Sequence, residues 1–148
     1  MMDLKELYQE IVLDHGKNPR NKKICKDFNK QAEGHNPLCG DKVHVFLKLN
    51  KEKKVEDISF EGEGCAISMA SASIMTEIIK GKEFNVAKKI LENFLNMLKD
   101  GSKLNINSLS EDQNTTMESL SGVKRFPMRV KCATLAWHTF MHAAEGKK

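Results

Sequence analysis

The sequence predicts an α+β fold, a small antiparallel sheet packed with helices, and two observations carry that expectation. KVHVFLKL (residues 42–49) alternates, placing Val43, Val45, Leu47 and Leu49 on one face, and VEDISFEG (55–62) follows after the polar turn NKEKK. That is the pattern of an antiparallel hairpin with one buried face. On both sides of the hairpin, apolar residues recur at helical spacing, so helices are available to cover that face.

In chain order, Asp3 can cap a first helix that carries Leu4, Leu7, Tyr8, Ile11 and Val12, with Gly16 and Pro19 stopping it. Residues 17–41 form a polar connector. After the hairpin, Gly62 and Gly64 make a flexible approach, Cys65 sits at a cap, and a helix rich in small residues runs to Gly81. The next helix carries Phe84, Ala87, Ile90, Leu91, Phe94, Leu95 and Leu98 at spacings of three and four. Residues 101–125 are polar and weakly patterned, with a short helix expected around Met117 and Leu120. Pro127 opens the last helix, whose apolar positions include Met128, Ala133, Trp137, Phe140, Met141 and Ala144.

At 148 residues the chain is expected to form one domain over 1–148. A chain of this size buries roughly 68–70% of its unfolded surface, so its core does not need a metal in order to exist. The charge is mixed, 24 Lys and Arg against 20 Asp and Glu, for a net +4. Cations gather at Lys17, Arg20, Lys22, Lys23 and Lys26, and again at Lys124, Arg125, Arg129 and Lys131. Such runs are commonly solvated surface, and no aromatic residues are interleaved with them for base stacking, so nucleic acid is not an expected partner. The amphipathic N-terminus lacks a secretory h-region and no apolar run is long enough to span a bilayer; the expected location is the cytoplasm, with no membrane partner.

Four cysteines are too few for a disulfide scaffold, and in a reducing compartment scattered cysteines bind metal, act as nucleophiles or are buried. In NPLCGDKVHV (36–45), Cys39 stands two residues from Asp41. Two ionised groups that close repel, and a cation is the natural remedy. Cys39 precedes a strand, Cys65 precedes a helix and Cys132 lies in the first turns of the last helix, places from which ligands can converge. A thiol near a helix N-terminus is favoured as thiolate. Three thiolates and the Asp41 carboxylate would suit tetrahedral zinc, with Gly40 letting the backbone turn between Cys39 and Asp41. No CxxC pair is present, so spacing alone does not establish the site, and any one cysteine could be a small buried hydrophobe. Cys25 has no matching context and is taken as a bystander. His15, His35, His44, His138 and His142 are reserve ligands, otherwise packed or solvated.

Four segments occur in order across nearly the whole chain: LDHGKNPRN, NPLCGD, GEGCAIS and RVKCATLAW. Together they resemble the iron–sulfur cluster assembly proteins of the IscU/NifU class, and specifically its SufU branch. The resemblance implies a SufE/NifU-like fold and a metal centre formed by Cys39, Asp41, Cys65 and Cys132. Two departures separate the branches. IscU-type scaffolds place a histidine immediately before the last cysteine, where this chain has Lys131, a poor ligand while protonated. Their proline-containing chaperone-recognition segment is not reproduced by FPMRVKC, and residues 101–125 resemble the insertion that distinguishes SufU.

The resemblance therefore implies a Zn2+-dependent sulfurtransferase partnered by a SufS-type cysteine desulfurase. On docking, a partner side chain would replace Cys39 on zinc, and the freed thiolate would attack the outer sulfur of the partner's persulfide. Sulfur would pass on to a downstream iron–sulfur scaffold or apoproteins. LDHGKNPRN looks like part of a desulfurase-facing region. Arg129, one turn before Cys132, could offset the charge of the site or hydrogen-bond a thiolate. Two other functions fit the same ligands: a scaffold that assembles a transient [2Fe-2S] cluster for apoproteins, and a structural zinc interaction module.

Overall fold

A computed structural model of the chain describes residues 3–101 and 106–146. Three strands, β1 (Lys30–Asn36), β2 (Asp41–Leu49) and β3 (Val55–Glu63), form an antiparallel sheet in the order β1-β2-β3. Five helices accompany it: α1 (Leu4–Lys17), α2 (Ala66–Ile79), α3 (Phe84–Asp100), α4 (Glu111–Ser119) and α5 (Pro127–Glu145), with a 3-10 turn at Leu120–Val123. This is the α+β arrangement the hairpin and the helical periodicities predict. Among the described residues no helix is long and apolar enough to cross a membrane.

The hairpin forms as expected, Val45 opposite Phe60 and Leu47 opposite Ile58, all fully buried. β1 is the element the sequence did not reveal: its residues fall in the expected connector 17–41. Its inward positions are Lys30, Ala32, Gly34 and Asn36, small or polar, so no apolar alternation marks it. Helix α5 crosses close over it; a Cβ at Gly34 would stand 2.0 Å from Thr139 Oγ1 and 3.0 Å from Leu135 Cδ1. The strand is held by its ladder to β2, and Gly34 lets α5 lie close on its inner face.

Helix α2 is the central one, with Ser68 through Thr76 buried without a break. Its small residues let neighbours approach, and their hydroxyls satisfy buried donors: Ser71 Oγ donates to the Ala133 carbonyl and accepts from Trp137 Nε1 at 3.0 Å. Trp137 packs on Phe94 of α3, ring centroids 5.0 Å apart. The core gathers Val43, Val45, Leu47, Ile58 and Phe60 of the sheet with Ile90 and Phe94 of α3 and Phe140 of α5.

Three local expectations are amended. Asp3 does cap α1, accepting from Glu6 N at 2.9 Å, but the helix passes through Gly16 and ends at Lys17, because a residue before proline, here Asn18, avoids the α region. The Leu4 side chain lies outside the described residues, as do residues 102–105 of the expected polar insertion. Gly62 belongs to β3 rather than a flexible approach: a Cβ there would stand 2.1 Å from the Lys42 carbonyl oxygen. Met128, expected on the apolar face of the last helix, is exposed, because it sits in the first turn, short of the core. The short helix around Met117 and Leu120 is present as α4 and its 3-10 extension, opened by a Ser110–Gln113 capping box.

Candidate metal centre

Asp41 opens β2 and is fully buried. Its Oδ1 accepts the Cys65 backbone N–H at 2.8 Å, and its Oδ2 lies 3.8 Å from Cys65 Sγ. The approach depends on Gly64, where a Cβ would stand 2.2 Å from Asp41 Oδ1. A glycine is needed here for closeness, so the two glycines of GEGCAIS serve packing rather than mobility. Cys65 is the N-cap of α2, its sulfur accepting from the Ser68 N–H at 3.4 Å.

Cys39 lies on the turn between β1 and β2 and is exposed, with Gly40 at φ 73 supplying the left-handed step beside it. The turn is closed by hydrogen bonds from the Cys39 and Gly40 N–H groups to the Asn36 carbonyl. Cys132, on α5, is buried, and its sulfur lies 3.5 Å from Cys39 Sγ. Asn36 Nδ2 approaches Cys132 Sγ at 3.9 Å from behind. The ligand atoms of Cys39, Asp41 and Cys132 all lie within 4.8 Å of one another. Three of the four residues singled out in the sequence, Cys39, Asp41 and Cys132, thus come together from a turn, a strand start and a helix, while Cys65, outside that group, reaches it through Asp41.

The donor set fits a cation. Two thiolates on one tetrahedral zinc stand about 3.8 Å apart, close to the sulfur spacing here. Burial, followed by contacts with Asp41, Cys65 and Cys39, pushes the Cys132 thiol far above its ordinary pKa, as a crowd of acids without a counter-charge must. A divalent cation reverses that balance. The Ser68 hydroxyl, buried beside the Cys65 cap, has no hydrogen-bond partner and is a donor available in that shell.

The other candidates stand elsewhere. Cys25 is buried against the sheet, its N–H donating to Ser59 Oγ at 2.9 Å, as a bystander thiol would be. None of the five histidines joins the thiol group among the described residues. His15 is buried, 2.7 Å from Ser73 Oγ; His44 stacks on Phe46 and hydrogen-bonds Gln31. Lys131 is exposed and lines an outer groove with His35, Leu38, Thr134 and His138. His142 is exposed near the end of α5.

LDHGKNPRN has a structural explanation. Arg20 binds Asp14 at 2.8 Å and the Asn18 carbonyl, its N–H donates to Ser73 Oγ, and Asn21 Nδ2 donates to Thr76 Oγ1, so the segment clasps the end of α1 to α2. Arg129 is exposed, with its guanidinium carbon 4.3 Å over the Phe126 ring. Tyr8, which the sequence offered only as an apolar position of the first helix, hydrogen-bonds Arg129 and feels the field of Cys65 and Cys132; burial is the main cause of its raised pKa. Nothing in the periodicity of α1 distinguishes such a residue from a core tyrosine.

The model of the NifU-like N-terminal domain matches residues 7–133. A zinc-dependent sulfurtransferase SufU of Bacillus subtilis (strain 168) is 43% identical over 135 residues, 91% of this chain and 87% of that protein. An iron-sulfur cluster assembly scaffold protein IscU of Streptococcus pyogenes serotype M1 is 37% identical over 140 residues, 95% of this chain and 84% of that one. A crystal structure from Fervidobacterium islandicum AW-1, described as an iron-sulfur cluster assembly scaffold protein for the SUF system, superposes with TM-score 0.78 and 36% identity, covering 93% of this chain and 96% of that chain. A NifU-like protein of Brucella abortus, 22% identical, shares the fold with TM-score 0.79, covering 96% of each chain. With a family model matching most of its length and relatives similar over nearly the whole chain, the chain belongs to the NifU-like N-terminal domain family.

Proposed function

We propose that this protein serves iron–sulfur cluster assembly as a sulfurtransferase, accepting persulfide sulfur from a SufS-type cysteine desulfurase onto Cys39. The observation that carries the reading is the asymmetry of the thiol group: Cys39 is exposed on a turn while Cys132, 3.5 Å away, is buried. One thiol can therefore meet a partner while the others hold the centre together. The zinc-dependent sulfurtransferase named among the relatives supports the same assignment.

Cys39, Asp41, Cys65 and Cys132 would hold the metal. Bound zinc, itself redox-inert, supplies positive charge that keeps the thiols deprotonated at neutral pH. In the transfer, the Cys39 thiolate attacks the outer sulfur of the donor's cysteine persulfide. A bond forms between that sulfur and Cys39, the donor's S–S bond breaks, and its electron pair leaves on the donor's cysteine as thiolate. No external oxidant or reductant is required. Asp41 stays fixed by the Cys65 N–H, and Arg129, held over Phe126, supplies positive charge one turn above Cys132. The sulfur then passes to a downstream scaffold or apoprotein, in the cytoplasm where such thiols stay reduced.

A scaffold role for a 2Fe–2S cluster is the second reading, favoured by the scaffold proteins among the relatives. It is set back by Lys131, which faces the outer groove. Intact-mass analysis after incubation with the desulfurase and cysteine tests the proposal. One added sulfur, removed by reductant and absent from Cys39→Ala, is the expected result. No added sulfur with an active desulfurase and full zinc would overturn it; visible charge-transfer colour on anaerobic iron and sulfide loading would support the scaffold.

A further inference from the structure

A groove of about 380 Å3 runs between the end of β1 and the outer side of α5. That volume lies within the roughly 300–1,000 Å3 of small-molecule sites. Three bases line it, His35, Lys131 and His138, beside two apolar side chains, Leu135 and the 64% exposed Leu38. None of its lining residues is acidic, and α5 carries no Asp or Glu before Glu145. Among the described residues Lys131 makes no ion pair. Burial, then the neighbouring His142, lowers the His138 pKa, the response of a half-buried base with no acid to offset it. Asn36 joins this groove to the thiol group. It lines the groove, its Nδ2 stands 3.9 Å from Cys132 Sγ, and its carbonyl accepts the Cys39 N–H at 3.2 Å.

We propose that this groove binds a small thiol bearing carboxylates, and that this thiol takes the sulfur from Cys39. The inference rests on the proposed loading of Cys39 and adds an acceptor and the chemistry that selects it. A carboxylate in the groove meets the Lys131 ammonium as a point charge and the imidazoles of His35 and His138 as further donors, and such charge-assisted hydrogen bonds are the strong ones. Leu38 and Leu135 offer apolar walls to the carbon chain between carboxylate and thiol. In the transfer, the bound thiol loses its proton to solvent and its thiolate attacks the outer sulfur of the Cys39 persulfide. A bond forms between those two sulfurs, the S–S bond to Cys39 breaks, and its electron pair stays on Cys39 as thiolate. The products are a small persulfide and the unloaded protein. No external oxidant or reductant is required.

The test has two arms, both on zinc-loaded protein. Calorimetry measures binding of S-methylglutathione, which carries the carboxylates but cannot accept sulfur. Intact mass follows the discharge of sulfur-loaded protein by glutathione and by the uncharged 2-mercaptoethanol. The wild type should bind S-methylglutathione; Lys131→Glu, checked for wild-type zinc content, should weaken binding by about tenfold or more, and His138→Ala by several-fold. Lys22→Glu with Lys23→Glu, outside the groove, should leave it within about twofold. Discharge by glutathione should saturate, at about tenfold higher concentration in Lys131→Glu, while discharge by 2-mercaptoethanol should be the same in both proteins. No binding by the wild type, wild-type affinity in Lys131→Glu, or equal slowing with both thiols would each overturn the proposal. Discharge by a cysteine-bearing apoprotein with glutathione inert would also overturn it, in favour of a protein acceptor. If S-methylglutathione binds with the expected pattern yet the desulfurase loads no sulfur, the anion site stands and the transfer reading falls.

Discussion

Asp41 Oδ1 receives the Cys65 backbone N–H at 2.8 Å, so the first residue of β2 and the cap of α2 are joined by a hydrogen bond to the very carboxylate that would bind metal. The same link restrains one oxygen of Asp41, which would lower the cost of ordering it at a cation.

Gly64→Ala should break that arrangement, because the added methyl would stand 2.2 Å from Asp41 Oδ1. We expect zinc to be held about 10–100-fold more weakly, the usual cost of disturbing a supporting contact, with little change in circular dichroism. Competition with a chromophoric chelator measures it, and unaltered zinc affinity would refute the positional role of Gly64.

Asp41→Ala removes the carboxylate and leaves the Cys65 N–H without its partner, a cost of about 1–3 kcal/mol. Zinc content by atomic emission should fall sharply while the protein stays folded. Full metal retention would remove Asp41 from the ligand set.

Chelation should lower the thermal midpoint yet leave one cooperative transition. The core of Val45, Leu47, Phe60, Phe94, Trp137 and Phe140 is fully buried and does not include the thiol group. Calorimetry with and without chelator checks this; loss of the folded state on chelation would make the metal structural instead, since zinc in small fingers supplies about 10–16 kcal/mol of folding energy.

His15 predicts an acid weakness. Burial, with Arg20 nearby, lowers its pKa to about 4, and Ser73 Oγ holds its Nδ1. The folded state therefore prefers the neutral ring, whereas the unfolded chain takes up a proton near pH 6.5. Stability from this group is complete above pH 6.5 and is lost as pH falls towards about 4, by roughly 2–3 kcal/mol at most. Glu77, 3.9 Å from Nε2, works against the loss, but it also serves Arg20 and is half-exposed. Urea titrations of chelated wild type and His15→Asn between pH 7.5 and 4 should diverge only in the variant's favour as pH falls; parallel curves would contradict it.

Ser71→Ala should destabilise the protein by about 1–3 kcal/mol, because the buried Trp137 N–H loses its acceptor. A denaturant midpoint measures it, and a neutral result would mean that the indole finds another partner.

By itself, the sequence determined the hairpin, the capped α1, the amphipathic α3 and the Pro127 start of α5, because each is written in local periodicity or in a capping residue. Motif order also singled out Cys39, Asp41 and Cys132, which the structure brings within 4.8 Å of one another. Only the tertiary structure decided the rest. β1 is invisible locally because α5 dictates small residues on its inner face. The tightness of Gly64 on Asp41 and the hydrogen bond of Tyr8 to Arg129 arise between residues far apart in the chain. Periodicity reports which way a side chain points along its own element; which element it then meets is settled when helices and sheet pack.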